Sequence, residues 1–351
     1  MNTEKNCPVR DARCWQCGET CKRLVQTMEQ DKVGVLLAQL GTPDAPTPKA
    51  LRKYLGQFLA DPRIIEINRA LWWVILNGII LPTRPRRSAK LYANIFTDEG
   101  SPLLFITQRK VKKLAAKLNL PLALGMRYGS PSIESAIDEL LAQGCRKIIL
   151  FPEFPQYSAT TTGSTYDAVF ARLLKERWVP SLTVVEPYYS TETYLNSLAE
   201  SLNRQMAALP EKPERLILSY HGVPRRYVHN GDPYCCMCIE TTNLLRPKLS
   251  LPPEHVIHCF QSRFGKEPWL EPYTDETIER LAKEGIKRLA VANPGFVVDC
   301  LETIDEIGRE GAHVFKEHGG EQYAALTCLN DEEHWVDGCV ELIRKVLPQI
   351  N

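Results

Sequence analysis

The sequence of 351 residues lacks an excess of either charge, a long apolar run and a secretory signal. Lysine and arginine number 43 and aspartate and glutamate 42, so the formal net charge is +1. Nucleic-acid-binding proteins usually carry a basic excess, so we expect no nucleic acid as a partner. No apolar stretch of about 20 residues occurs, and a membrane-spanning helix is therefore not expected. The first thirty residues are polar and do not resemble a secretory signal.

Three common motifs are also absent: G-x-G-x-x-G, G-x-x-x-x-G-K-[ST] and H-E-x-x-H. The first two hold nucleotide phosphates and the third holds zinc, so we expect neither a bound nucleotide nor a zinc-protease centre. Twelve cysteines without a secretion signal indicate a reducing compartment, the cytoplasm, where thiols bind metals or pack in a core.

What the sequence does contain is an alternation of helices and short apolar strands. The segments 147–151 and 288–292 each follow a predicted helix and a glycine turn, and each leads into a proline. This alternation predicts an α/β fold with parallel sheets covered by helices on both faces. Ligands of such sheets bind beyond the carboxyl ends of the strands, so functional residues are expected there.

A histidine and a row of carboxylates follow two of these predicted strands. His221 comes just after strand 215–219 and can take and return a proton near neutral pH, although a structural role is the alternative. Asp299, Glu302 and Glu306 follow strand 288–292 at spacings i, i+3 and i+7, which places them on one face of a predicted α-helix. The carboxylates either form a solvated acidic face or attract a cation.

An almost wholly apolar segment, ALWWVILNGIILP over residues 70–82, is followed closely by Arg84, Arg86 and Arg87. It is interpreted either as a buried helix or as a lip at a membrane surface, where tryptophans and arginines are favoured.

Several motifs in this order resemble those of the ferrochelatases, over about Val33 to Leu347. They are LGTPDAP near the start, FPQYSATTTGS at 154–164, SYHGVP at 219–224, GDPY at 231–234, QSRFG from 261 and PGFVVDCLETIDEI at 294–307. The resemblance implies a bacterial-type enzyme that inserts ferrous iron into protoporphyrin IX, the last step of haem synthesis.

The resemblance also implies an α/β fold of two Rossmann-like, chelatase-type domains with parallel sheets and the active-site cleft between them. We expect a cysteine-containing tail over residues 1–30 and a first domain over residues 31–158 plus 326–351, which carries the porphyrin lip. The second domain is expected over residues 159–325, and it carries His221 and Glu302.

By the same resemblance, His221 accepts the pyrrole protons opposite the Glu302 carboxylate. The implied metal-contacting residues are His221, Glu302, Asp299 and Glu306. The implied porphyrin-binding residues are Leu40, Arg84, Ser101, Arg127, Tyr128 and Phe154. Cys300 departs from the animal pattern, in which a second histidine occupies this position.

Some ferrochelatases carry a [2Fe–2S] cluster, which needs four ligands. The chain stops at Asn351 without the usual cysteine-bearing extension, and Ala159 occupies the usual internal cysteine position. The internal candidates are Cys235, Cys236 and Cys238, with Cys259 or Cys145 as the fourth ligand. A rival set lies in the tail at Cys7, Cys14, Cys17 and Cys21.

The expected partners are protoporphyrin IX, ferrous iron and, through Trp72 and Trp73, the inner membrane surface as a peripheral contact. The alternatives are a coproporphyrin III ferrochelatase, a cobalt or nickel chelatase, and a non-catalytic porphyrin- or haem-binding protein.

Overall fold

The structure, a computed structural model, describes residues 32–347. Two four-stranded parallel sheets form its framework. The first contains β1 (Lys32–Thr42), β2 (Leu122–Gly129), β3 (Cys145–Pro152) and β4 (Ser181–Val184) in the order β2-β1-β3-β4. The second contains β5 (Arg215–His221), β6 (Val256–Gln261), β7 (Arg288–Ala292) and β8 (Gln322–Ala325) in the order β6-β5-β7-β8. The α/β prediction with parallel sheets is confirmed.

Helices connect the strands and cover the sheets, as parallel pairing requires. On the first sheet's side they are α1 (Pro48–Ala60), α2 (Arg69–Ile75), α3 (Leu81–Ile95), α4 (Pro102–Leu118), α5 (Ile133–Ala142) and α6 (Ser164–Leu173). The later helices are α7 (Glu192–Ala207), α8 (Arg225–His229), α9 (Tyr234–Leu245), α10 (Thr274–Lys283), α11 (Gly311–Glu317) and α12 (Glu333–Val346).

Three π-helical segments and two short 3₁₀ turns complete the described secondary structure. The π-helices are Leu76–Ile80, Ala159–Gly163 and Glu302–Glu310, and the 3₁₀ turns are Arg246–Lys248 and Pro253–His255. π-helices are rare and occur frequently at functional sites. Two of these three follow strand ends, where the ligand of such a fold is expected.

The first sheet extends beyond residue 158, because Lys147 to Leu150 of β3 pair with Ser181 to Val184 of β4. The division of the chain into domains stays a proposal. A boundary after Val184 keeps the first sheet whole, whereas the expected boundary between residues 158 and 159 cuts it. The C-terminal helix α12 returns to the first unit, where Lys113 and Lys117 of α4 form ion pairs with Glu333 and Asp337.

The carboxyl end of β1 requires a glycine. Gly41 has φ +112°, and a Cβ at this position would lie 1.7 Å from the backbone oxygen of Tyr128 on β2. Only glycine adopts this conformation at so close an approach. The LGTP segment is therefore fixed by the contact between β1 and β2, beside the site described below.

Within residues 32–347, every helix is too short or too polar to cross a membrane.

Candidate active site

A cavity of about 750 Å³ lies where the carboxyl ends of both sheets meet, and residues from both units line it. Its size falls within the range of small-molecule and cofactor sites, about 300–1,000 Å³. Most of its wall is apolar or aromatic, and the first unit contributes Leu40, Tyr54, Phe58, Leu59, Ile64, Ile65, Ile67, Trp72, Ile80, Leu91, Tyr92, Leu103 and Phe154. The cavity can therefore hold a large, mostly apolar molecule.

His221 ends β5 and lines the cavity. Its Nδ1 lies 2.6 Å from the carbonyl oxygen of Gly222, so Nδ1 carries a hydrogen and donates it. The other ring nitrogen, Nε2, is then the hydrogen-bond acceptor. A Cβ on Gly222 would lie 2.9 Å from the backbone oxygen of Gln261, so this glycine serves the contact between β5 and β6.

The acidic segment after β7 is a π-helix, Glu302–Glu310, and not the α-helix that the sequence predicts. Side chains four apart lie near one face of a π-helix, as they do in an α-helix. Glu302, Glu306 and Glu310 have this spacing, and all three line the cavity together with Asp305. Asp305 also forms an ion pair with Arg309.

Ser262 holds the carboxylate of Glu306. Its hydroxyl donates a 2.5 Å hydrogen bond to Oε2 of Glu306, and its φ of 67° is rare for a residue with a side chain. Burial raises the pKa of Glu306, and the Glu302 charge adds to this rise. The Ser262 hydrogen bond and the nearby His221 oppose it, and the net pKa is raised.

Asp299 does not join this face. It precedes the π-helix and does not line the cavity. Its carboxylate accepts hydrogen bonds from Thr303 Oγ1 at 2.8 Å, Asn330 Nδ2 at 2.7 Å and the backbone N–H of Cys328 at 3.3 Å. These bonds fix the loop before the π-helix, so the structure brings together Glu302 and Glu306 but leaves Asp299 behind them.

Four of the six predicted porphyrin-binding residues line the cavity: Leu40, Arg84, Ser101 and Phe154. The Ser101 hydroxyl is buried and lies 2.8 Å from that of Thr42, which is also in the lining. Arg84 stacks over the ring of Phe264, 5.1 Å from its centroid. This stacking connects α3 of the first unit with the loop that follows β6.

Arg127 and Tyr128 lie one layer behind the cavity wall. Both contact the buried carboxylate of Asp61, as does Ser164, whose hydroxyl donates to it at 2.6 Å. Burial would raise the pKa of Asp61, but the hydrogen bonds from Ser164 and Tyr128 and the Arg127 charge lower it. Tyr128 packs edge-on against Phe58, which does line the cavity, so this network supports the wall.

Sequence reasoning missed the buried tyrosines Tyr54 and Tyr92. Both line the cavity. Burial is the main cause that raises their pKa values, and nearby charged groups, Glu302 among them, add to the rise. Tyrosines at helical spacing in an apolar pattern give no signal that separates a core position from a cavity wall. Ser262 lies in the QSRFG motif, which supported the resemblance but had no residue role assigned.

The internal cysteines do not form a four-thiolate site. Cys235, Cys236 and Cys238 lie on α9, and Cys238 packs in the core between α9 and the second sheet. Cys259 on β6 packs with Ile278 on the opposite face of that sheet. Burial raises the pKa of Cys259 to about 12 and that of Cys238 well above its usual value, which opposes thiolate ligation.

Cys145, the other internal candidate, lies buried in the core of the first sheet beside Leu140. Within the described part of the chain, no three histidine, cysteine, aspartate or glutamate side chains converge closely enough to hold a metal ion. The internal cysteines therefore do not fit a cluster. Cys7, Cys14, Cys17 and Cys21 lie outside the described residues.

Comparisons with known proteins identify the relatives of this chain. The family model described as ferrochelatase matches residues 32–347. A ferrochelatase of Brucella canis is 50% identical over 322 residues, which cover 90% of this chain and 92% of that protein. A ferrochelatase of Brucella ovis is 49% identical over 322 residues, which again cover 90% of this chain and 92% of that protein.

Solved structures share the fold. SirB from Bacillus subtilis with Fe³⁺ gives a TM-score of 0.56 at 14% identity and covers 90% of this chain and 96% of that one. The sirohydrochlorin chelatase SirB from Bacillus subtilis subspecies spizizenii, in complex with cobalt, gives a TM-score of 0.53 at 10% identity. That match covers 90% of this chain and 95% of that one. At such low identity this likeness shows the chelatase-type fold alone. By the family model and the sequence relatives, the chain belongs to the ferrochelatase family.

Proposed function

We propose that this chain inserts ferrous iron into protoporphyrin IX, with His221 as the proton acceptor and Glu302 as the opposing carboxylate. The observation that carries the proposal is that His221, Glu302 and Glu306 all line the same apolar-walled cavity. Membership of the ferrochelatase family supports the reaction class, a lyase that inserts iron into a porphyrin for haem synthesis.

The reaction replaces two pyrrole N–H protons of the porphyrin by one Fe²⁺, so two protons must leave as the metal enters. With Nδ1 bonded to the Gly222 carbonyl, His221 has one free lone pair, on Nε2. That nitrogen takes one pyrrole proton, and the opposing Glu302 carboxylate accepts the other. The imidazolium that forms is stabilised by the Glu306 carboxylate, whose charge already interacts with this histidine.

The carboxylates of the π-helix carry the iron. Carboxylate oxygens are hard ligands that attract a divalent cation. Glu302, Glu306 and Glu310 form a row along the cavity, and we infer that ferrous iron passes along this row to the porphyrin nitrogens. Iron is a substrate here, so the row needs only to bind the ion briefly and release it.

Anaerobic incubation with ferrous iron and a porphyrin, followed by metalloporphyrin absorbance, tests the proposal. The wild type is assayed with protoporphyrin IX and coproporphyrin III, and with cobalt and nickel as competing metals. We expect His221→Ala to lose turnover by about 10²-fold or more, the usual size of general base catalysis.

The matched control is His229→Ala. His229 is exposed at the end of α8 and outside the cavity lining, so its loss leaves turnover unchanged. Unchanged turnover in His221→Ala contradicts the proposed base. Faster metallation of coproporphyrin III by the wild type contradicts the proposed substrate.

The lip beside the cavity suits a membrane surface. Trp72 is buried and donates its indole N–H to the Leu59 carbonyl at 2.6 Å, whereas Trp73 is 66% exposed. Leu71, Val74 and Ile79 are also more than half exposed. An exposed apolar patch of this kind indicates a protein or membrane contact, so we propose that the cytoplasmic protein receives protoporphyrin there.

Co-sedimentation with anionic phospholipid vesicles tests the lip. Trp73→Ser is expected to reduce sedimentation while leaving turnover of detergent-dispersed porphyrin unchanged. Trp178→Ser, another half-exposed tryptophan far along the sequence, is the matched control and is expected to sediment as the wild type does.

A [2Fe–2S] cluster stays a prediction for this chain. The internal cysteines do not supply its ligands, and the tail set of four cysteines lies outside the described residues. Visible absorption and iron analysis of anaerobically purified Cys17→Ser and Cys238→Ser variants separate the two sets. Loss of a charge-transfer spectrum in Cys238→Ser alone would contradict the packing of this thiol in the core.

A further inference from the structure

Three cationic side chains belong to the cavity lining among residues 32–347: Arg84, Arg226 and Lys266. All three are at least partly exposed, so they lie at the mouth of the cavity. They differ in their ion pairs: Arg226 is paired with protein carboxylates, whereas Arg84 and Lys266 are not, in the part of the chain that the structure describes.

Arg226 is held by two carboxylates from different parts of the chain. Its Nη1 lies 3.0 Å from Oε2 of Glu66, in the segment before the lip helix α2. Its Nε lies 2.8 Å from Oε2 of Glu267, in the loop after β6. The guanidinium also stacks on Tyr227 at 4.6 Å, and Tyr227 donates its hydroxyl to the Ile64 carbonyl. Arg226 therefore closes an ion-pair bridge across the mouth.

Arg84 and Lys266 have no such partner. Within the described residues, no carboxylate oxygen lies within 4.0 Å of either side chain's nitrogens. Arg84 contacts the aromatic ring of Phe264 instead, two residues before Lys266. Both cations remain able to bind an anion that enters the mouth.

We propose that Arg226 is a specificity-determining residue: Glu66 and Glu267 both pair with it and together outweigh its single positive charge, so that the mouth offers incoming porphyrin carboxylates two cations, Arg84 and Lys266, and not three. The inference rests on the porphyrin site of the proposed function. In this proposal, Arg226, Glu66 and Glu267 together discriminate between a porphyrin with two carboxylates and one with four.

The physical reason is the cost of an unpaired charge. A porphyrin with two propionates on neighbouring pyrroles can place both of them at the mouth. One with a propionate on every pyrrole must direct further carboxylates toward an apolar wall or toward Glu302 and Glu306. Burying an unpaired carboxylate is costly, and like charges repel. Neutralising Arg226 removes the remaining cation that could compensate an additional carboxylate.

The test is the double variant Glu66→Gln/Glu267→Gln, which frees Arg226. We measure porphyrin binding by fluorescence and kcat/KM under anaerobic conditions, for coproporphyrin III and for protoporphyrin IX. The ratio of the two affinities, coproporphyrin III over protoporphyrin IX, is expected to rise about fivefold at low ionic strength, the size of one exposed ion pair. High salt is expected to reduce the gain, because these charges are exposed.

Two further variants separate the cation from its neighbours. Adding Arg226→Gln to the double variant is expected to return the ratio to near the wild-type value. If the triple variant keeps the gain, lost repulsion explains it and the inference is wrong. Glu271→Gln is the matched control, because Glu271 pairs with Arg225 at 2.8 Å at similar exposure but outside the cavity lining. It is expected to leave the ratio unchanged.

The two proposals fail differently. A wild-type protein that neither binds nor metallates a porphyrin overturns the proposed function and this inference with it. Active variants whose ratio does not change overturn this inference alone.

Discussion

Removal of the Ser262 hydroxyl tests whether Glu306 must be ionised for iron to enter the cavity. Burial raises the pKa of Glu306, and the 2.5 Å hydrogen bond from Ser262 opposes that rise. A hydrogen bond to a charged group contributes about 1.5–3 kcal/mol. Because Glu306 is only partly buried, we take the lower end, about 1.5 kcal/mol, which corresponds to about one pKa unit.

The expected sign follows from this. Ser262→Ala removes a bond that favours the carboxylate, so the pKa of Glu306 rises further and the side chain is protonated at a higher pH. A neutral carboxyl group does not attract ferrous iron. In an anaerobic stopped-flow assay, the acid limb of kcat/KM for iron is expected to move up by about one pH unit. Above the limb, the variant and the wild type are expected to converge.

The backbone at Ser262 could account for a loss of activity by itself, because its φ is 67°. Ser262→Gly separates the two causes, since glycine tolerates this conformation and also lacks the hydroxyl. If the hydrogen bond matters, both variants shift the acid limb. An acid limb that stays at its wild-type position in Ser262→Gly would refute the reasoning.

Two predictions concern buried charges and are checked by chemical denaturation. Asp61→Asn is expected to destabilise the fold by about 3 kcal/mol, because Arg127 loses its buried partner, whereas Asp44→Asn, at an exposed pair, costs less than about 1 kcal/mol. Since the folded pKa of Asp61 is lowered, its contribution is present above about pH 4 and is lost as the pH falls further. Lys110→Met leaves Glu153 buried and unpaired and is expected to cost about 3–5 kcal/mol, much of which Lys110→Met/Glu153→Leu recovers.

Residues at strand ends were the most predictable part of the site. Parallel strands bring their carboxyl ends to one edge, so the sequence predicts that His221, at the end of β5, and the acids after β7 lie near each other. β5 and β7 are indeed neighbours in the sheet. The sequence pattern was sufficient because backbone pairing, and not side-chain packing, determines this proximity.

The helix type was not predictable from spacing. Under α-helical periodicity, Asp299, Glu302 and Glu306 share a face, and the expectation followed that rule. The π-helix begins at Glu302, so the acids on its cavity face are Glu302, Glu306 and Glu310, and the hydrogen bonds from Thr303 and Asn330 hold Asp299 in the preceding loop. The position of Asp299 depends on tertiary contacts, such as the hydrogen bond from Asn330, 31 residues away, which a local pattern does not contain.

The same limit explains Arg127 and Tyr128. The family resemblance implies that both residues bind porphyrin, but they lie on β2, whose side chains also point into the layer beneath the cavity wall. What decided the outcome was Asp61, 66 residues away in sequence from Arg127, whose buried carboxylate binds both side chains and Ser164. Sequence reasoning that considers one strand end at a time cannot find a partner so distant.

The cavity divides its chemistry between the two sheets. The first unit supplies the apolar wall, the lip and Ser101, while the second supplies His221 from β5 and the acids after β7. The Ser262–Glu267 loop joins these halves, because it contacts Glu306, Arg84 through Phe264, and Arg226. One short loop therefore contacts both the carboxylates proposed to carry iron and the cations proposed to select the porphyrin.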